Sequence, residues 1–316
     1  MSSAIDESLK GKGQAAGGWK SWSLKKRLLI IGGGLLVVVA IALGVGLGVG
    51  LTKGGSDDGE VPPTSGGKVT TAEWQPKPGT TWQIQLLNPL NDTSLDVEVF
   101  DIDLFNNDKS IIDELHQKNR KVICYFSAGS YENWRPDKSK FKDSDLGSTL
   151  DGWEDEKWLN LKSQNVRDIM ASRLDMAKEK NCDGVDPDNV DGYDNKNGLD
   201  LKQEDSADFM MWLANEAHAR NMSIGLKNAG AIIPAVIDNM QWSVNEQCMQ
   251  YDECDKYAAF VDKNKPVFHI EYPKGDDTNN NDDVTTQQKD KACEYNNKKF
   301  STLIKNMKLD AWFQKC

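Results

Sequence analysis

The sequence predicts an α/β protein built on a single (β/α)8 barrel of the TIM type, preceded by one transmembrane helix and a flexible stem. Three observations carry this expectation. Short apolar runs alternate with helix-like segments over roughly 240 residues, the size and rhythm of one such barrel. Several of these runs end in carboxylates and then break, which is how a barrel presents working groups at the C-terminal ends of its strands. Ahead of them, residues 28–52 carry no charge and exceed the roughly 20 apolar residues needed to cross a bilayer.

From the N-terminus, residues 1–27 are polar, with Lys10, Lys12, Lys20, Lys25, Lys26 and Arg27 against Asp6 and Glu7. The basic cluster abuts the apolar run, and Asp57, Asp58 and Glu60 follow on its other side. The positive-inside rule then keeps residues 1–27 cytoplasmic and sends the rest across. A cleaved signal peptide is the alternative, but its apolar core usually spans about 7–15 residues and starts earlier. The expected arrangement is a single-pass type II protein of the plasma membrane with an extracellular catalytic domain. Residues 53–73 have the Gly/Ser/Pro composition of a stem, and residues 74–316 form the barrel domain.

Within that domain the strand candidates are 82–86, 97–102, 122–126, 184–185, 223–226, 242–244, 267–270 and, weakest, 309–313. The helix candidates are 109–119, 163–180, 203–221, 233–239 and 251–262. In 163–180, Val166, Ile169, Met170, Leu174 and Ala177 share one face, the period of an amphipathic helix. An open doubly wound sheet is the runner-up. It usually carries a Gly-rich phosphate loop after its first strand, where this chain reads Asn88-Pro-Leu-Asn-Asp92.

The chain holds 38 basic and 49 acidic residues. Because the tail is basic, the exported part is more acidic still. That argues against nucleic acid or an anionic surface as partner and suits a cationic one. Six cysteines all follow the apolar run, which reads as three disulfides in an exported protein. Cys248 with Cys254 would close a small loop, Cys293 with Cys316 would staple the tail, and Cys124 with Cys182 would join neighbouring strands. The sequons at Asn91 and Asn221 fit export. No Cys-x-x-Cys occurs, and His116, His218 and His269 are scattered. The acidic run 186–200 also misses the Gly and Glu positions of a calcium loop, so neither metal nor cofactor is expected. The domain is expected to be a monomer.

Cys182-Asp-Gly-Val-Asp-Pro-Asp-Asn-Val-Asp-Gly-Tyr193 and Trp242-Ser-Val-Asn-Glu-Gln-Cys248 place Asp188 and Glu246 at two strand ends. Two such carboxylates are the minimum equipment of a glycosidase: one protonates the leaving oxygen, the other attacks or activates water. Glu246, near Trp242, is expected to be partly buried with a raised pKa, suiting the acid role. Asp188, among polar groups, is expected to be the ionised nucleophile or base. A helix-capping role for Asp186 or Asp188 is the structural alternative. Around the pair, the expected substrate-binding residues are Asp101, Asp103, Tyr125, Asp186, Lys227, Glu271 and Trp82, with Lys227 the one obvious basic neighbour. Further aromatic faces for sugar stacking are Tyr131, Trp134, Trp153, Trp158 and Tyr193.

Val122-Ile-Cys-Tyr-Phe-Ser-Ala-Gly-Ser-Tyr-Glu-Asn-Trp-Arg135, Gly152-Trp-Glu-Asp-Glu-Lys-Trp-Leu159, Asp183 to Tyr193, Gly225-Leu-Lys-Asn228 and Asn245-Glu-Gln-Cys248 resemble, in order, glycoside hydrolase family 114, the endo-α-1,4-polygalactosaminidases. The anchored arrangement is similar to the fungal form that processes galactosaminogalactan of cell wall and biofilm. The resemblance implies a (β/α)8 barrel, no cofactor, endo-hydrolysis of α-1,4-linked galactosamine, and a catalytic pair at Asp188 and Glu246. Each deacetylated galactosamine carries an ammonium, which the acids Asp101, Asp103, Asp186 and Glu271 would attract. A hydrolase of neutral sugars of the α-galactosidase type, and a catalytically silent polysaccharide-binding barrel, are the alternatives.

Overall fold

The computed structural model describes residues 72–275 and 278–316. The expected tail and transmembrane segment lie outside them, as does nearly all of the stem. Among the described residues no helix is long and apolar enough to cross a membrane.

Strands β1 (Trp82–Gln85), β2 (Val99–Asp103) and β3 (Lys121–Ser127) come first. An excursion of β4 (Ser130–Glu132), β5 (Leu146–Leu150) and β6 (Trp153–Leu159) follows. Then come β7 (Gly184–Asp188), β8 (Ser223–Lys227), β9 (Trp242–Glu246), β10 (Val267–Glu271), β11 (Ser301–Lys305) and β12 (Phe313–Lys315). The main sheet runs β1-β2-β3-β7-β8-β9-β10-β11-β12. Its pairings are parallel except the last, where β12 runs antiparallel to β11. With its helices it makes a mostly parallel sheet nearly closed into a barrel. Strands β4, β6 and β5 form a separate antiparallel sheet. Across the seam, Leu86 N donates to Leu309 O at 2.9 Å, Gln83 Nε2 to Ala311 O at 3.0 Å and Trp82 Nε1 to Ser301 O at 2.8 Å.

Alternation along the strands separates two cores. Trp82, Ile84, Val99, Ile123, Trp242, Val244, Phe268, Ile270 and Leu303 fill the barrel interior. Their neighbours in sequence, among them Phe100, Ile102, Val122, Phe126, Val185 and Ile224, belong to the outer core shared with the helices. The helix Gln164–Glu179 contributes Val166, Ile169, Met170 and Leu174 to that layer, and Ser163 caps its first turn. The helix Gln203–Ala219 contributes Phe209, Leu213 and Ala217. Each such side chain stabilises the fold by about 1.5–3 kcal/mol. The floor of the barrel depends on Gly225, where a Cβ would stand 1.9 Å from Trp242 Nε1.

The structure corrects several expectations about elements. The eighth barrel strand is Ser301–Lys305, not 309–313. Residues 309–311 instead bridge the seam, and β12 begins at Phe313. The β4–β6 sheet and the helix Thr286–Ala292 were not anticipated. Strands β7, β8, β9 and β10 run one to three residues beyond the expected ends, which carries Asp186, Asp188, Lys227 and Glu246 into the barrel. Cys124–Cys182, Cys248–Cys254 and Cys293–Cys316 are bonded as expected. Asn91 and Asn221 are exposed.

Candidate active site

Above the apolar floor, the last inward positions of the strands are polar, and Lys227 at the end of β8 organises them. Its Nζ lies 3.1 Å from Asp188 Oδ2 and 3.1 Å from Glu246 Oε2. The two oxygens are therefore no farther apart than twice that distance. Tyr125 donates its hydroxyl to Asp188 Oδ2 at 2.9 Å, and the Asn189 backbone N–H donates to Asp188 Oδ1 at 2.8 Å. On the other side, Asn228 Nδ2 donates to Glu246 Oε2 at 3.1 Å, and the Tyr272 hydroxyl donates to Glu246 Oε1. Asn228 adopts a left-handed backbone, φ 49°, and its Oδ1 also accepts from the Glu246 backbone N–H at 2.9 Å.

Burial opposes the charge on Lys227, yet Asp188, Glu246 and Asp186 around it hold the ammonium well above its ordinary pKa. Burial likewise opposes ionisation of Glu246. The Lys227 charge and the bonds from Tyr272 and Asn228 outweigh it and hold the carboxyl below its ordinary value. This corrects the expectation of a raised Glu246: the substrate-free site holds it ionised. Burial, reinforced by Asp188 and Glu246 respectively, raises Tyr125 and Tyr272 well above the ordinary phenol value. Both are neutral donors.

The other expected binding residues occupy different surroundings. Asp101 and Asp186 are fully enclosed below Lys227 rather than lining an open mouth. Asp103, also buried, receives a two-pronged bond from Arg135 at 3.1 and 2.7 Å and backbone bonds from Phe105 and Asn106. Lys227 is thus not the sole basic neighbour. Glu271 alternates with Ile270 and Tyr272 and faces out of the barrel, where its Oε1 meets Met249 N at 2.8 Å and His269 Nε2 at 2.9 Å. Trp82, the first residue of β1, packs on Phe268 in the floor, 2 % exposed. Of the expected set, Tyr125, Lys227, Asp188 and Glu246 are in direct contact.

Sequence reasoning passed over several neighbours. Tyr272 was reachable, because the inward register of Phe268 and Ile270 continues to it and not to Glu271. Glu156, on β6, accepts from Ser130 Oγ at 2.6 Å, and Ser130 and Ser127 receive Asn189 Nδ2 at 3.2 and 2.9 Å. Burial raises Glu156 to about 7. This link depends on the unforeseen β4–β6 sheet. Asp191, half-buried, is raised to about 6 by burial and by Asp188. Cys248, Cys254 and His269 gather within 4.8 Å, but the two sulfurs are joined in a disulfide and offer no thiolate to a metal.

Two carboxylates bridged by an ammonium at the C-terminal ends of barrel strands are equipped for acid–base and nucleophilic chemistry on a glycosidic bond. No curated protein matches the chain. The glycoside hydrolase domain of PelA from Pseudomonas aeruginosa, 10 % identical, superposes with a TM-score of 0.60 over 74 % of this chain and 98 % of that one, a likeness of fold. Ega3 of Aspergillus fumigatus, crystallised with galactosamine, is 69 % identical, with a TM-score of 0.78 over 79 % of this chain and 100 % of that one. The family model for glycoside-hydrolase family GH114 matches residues 64–316. The chain is a glycoside hydrolase and belongs to family GH114.

Proposed function

We propose that this enzyme cleaves internal α-1,4 linkages of a cationic galactosamine polysaccharide, with Asp188 and Glu246 as the reacting pair. The observation that carries the reading is the placement of both carboxylates on one ammonium, in a chain 69 % identical to a protein crystallised with galactosamine. One carboxyl, taking up a proton from solvent as the substrate binds, gives it to the glycosidic oxygen as the bond to the anomeric carbon breaks. The other carboxylate attacks that carbon, and water, deprotonated by the first, then releases the sugar. Direct attack suits the short separation that a shared ammonium imposes, because inverting enzymes need room for a water, with carboxyls about 6.5–9.5 Å apart. Trp134, in the turn after β4, and Trp153, the first residue of β6, are about half exposed and offer faces on which a polymer can stack.

Replacing Asp188 with Asn or Glu246 with Gln is expected to lower hydrolysis of deacetylated polymer by about 10²–10⁴-fold each while the melting temperature holds. A variant that keeps more than about a tenth of wild-type turnover is not one of the pair. Cleavage is also expected to weaken as salt rises and to fail on fully N-acetylated polymer, which has lost its ammonium groups. Equal, salt-insensitive cleavage of both polymers would favour a neutral-sugar hydrolase.

We also infer that residues 28–52 anchor the protein in the plasma membrane, the catalytic domain outside, on the strength of the charge-free run and the basic residues before it. Protease applied to intact cells should remove residues 74–316 and spare residues 1–27. Protection of the catalytic domain would overturn the orientation.

A further inference from the structure

Beneath the carboxylates that share Lys227 lies a second pair of acids that the reaction does not use. Asp101 on β2 and Asp186 on β7 both point into the barrel, and each is 0 % exposed. Asp186 stands two residues before Asp188 on the same strand, and hence on the same face. No donor of the described residues bonds any of the four carboxyl oxygens, yet the two carboxyls lie within hydrogen-bonding reach of each other. Two ionised carboxylates in contact in a dry interior repel, and a single proton between them turns that contact into a hydrogen bond. The charged groups that face this pair are Lys227 on β8, Asp188 on β7 and Glu246 on β9.

We propose that Asp101 and Asp186 hold one proton between them, neutral Asp101 donating to ionised Asp186, and that the pair positions Lys227 for catalysis. The charge on Asp186 draws the ammonium from below while Asp188 and Glu246 draw it from above. Nζ is thereby kept between the two reacting carboxylates, at equal distances from both. A second negative charge below would pull the ammonium down out of the site. Removing the charge below would let it collapse onto one reacting carboxylate. Burial, with the neighbouring Asp186 charge, raises Asp101 well above the carboxylate range, and burial raises Asp186 to about 7, in keeping with Asp101 as the protonated member.

The test combines infrared spectroscopy and kinetics on the full-length enzyme. The wild type should show the carbonyl stretch of a protonated carboxylic acid at pH values where Glu156 and Asp191, raised to about 7 and about 6, are ionised along with the ordinary carboxyls, shifted by deuterium exchange and lost in Asp101→Asn. In Asp101→Asn the amide still donates to Asp186, so kcat should fall less than about tenfold. In Asp186→Asn and Asp101→Leu it should fall about 10²-fold with KM within about twofold, the size of effect that misplacing a reacting group by an ångström produces. Should Asp101→Leu not fold, the two isosteric variants carry the comparison. An absent acid band in the wild type, a band that survives Asp101→Asn, or equal kcat for Asp101→Asn and Asp186→Asn would overturn the proposal. The kinetic arm rests on the function proposed above. A wild type inactive on galactosamine polymer would count against that function, while the infrared band still decides the proton.

Discussion

Two lysines are enclosed in this barrel, and their partners decide that one is shifted up and the other down. Lys227, at the end of β8, has Asp188 and Glu246 against its Nζ. Lys305, at the end of β11, donates instead to Ile84 O and Asp310 O, both at 2.7 Å, and to Gln83 Oε1 at 3.1 Å. Burial disfavours the charge on both. Around Lys227 the carboxylates overcome it, and the pKa ends well above the ordinary value. Around Lys305 neutral dipoles do not, despite some help from the Asp310 charge, and the pKa falls to about 7. The charge state of an enclosed lysine follows from its partners, because only full opposite charges repay the loss of water. On the proposed mechanism one lysine serves the chemistry; the other closes the seam.

The contrast is sharpest in activity. Replacing Lys227 with Met removes the cation between the proposed reacting carboxylates and should lower kcat by about 10²–10³-fold, the scale of losing one preorganised electrostatic partner. Replacing Lys305 with Met should leave kcat near wild type on the same polymer. If both variants lose activity alike, the separation of roles fails.

A smaller effect should appear in stability. Lys305→Met strands two buried carbonyls at the seam, at a cost of about 1–3 kcal/mol, readable in urea unfolding. The pH dependence gives the sign. Between about 7 and the ordinary lysine value of 10.5, the unfolded chain binds a proton at this side chain that the folded one does not. Stability therefore rises with pH across that window. The rise should flatten in Lys305→Met and persist in Lys227→Met.

The sequence made the proposed reacting pair legible because Asp188 and Glu246 follow short apolar runs, and they meet as neighbours on Lys227. Family blocks covered Tyr125, Lys227 and Asn228 as well. What it obscured was depth. A strand end read three residues early places Asp186 in the mouth, when in fact it faces inward one layer below Asp188. Alternation also decides between neighbours, and choosing Glu271 over Tyr272 set aside the register fixed by Phe268 and Ile270. The β4–β6 sheet stayed hidden because Trp153–Leu159 is mostly polar, and its stability comes from pairing with strands that are distant in sequence. The eighth strand was missed for a similar reason: Ser301–Lys305 is short and ends in a lysine whose enclosure only the seam explains.

That seam also sets a timetable for the chain. The first barrel strand makes its closing contacts with residues 301–311, between 219 and 228 positions later in the chain. During synthesis residues 82–87 therefore emerge long before the segment that satisfies them, leaving one wall of the barrel unsealed until that segment follows. A ribosome stalled before residue 305 should carry a nascent domain with strands but no closed barrel, open to proteases and in need of a chaperone. For this enzyme, the barrel can close only after its last strand and the segment behind it have left the ribosome.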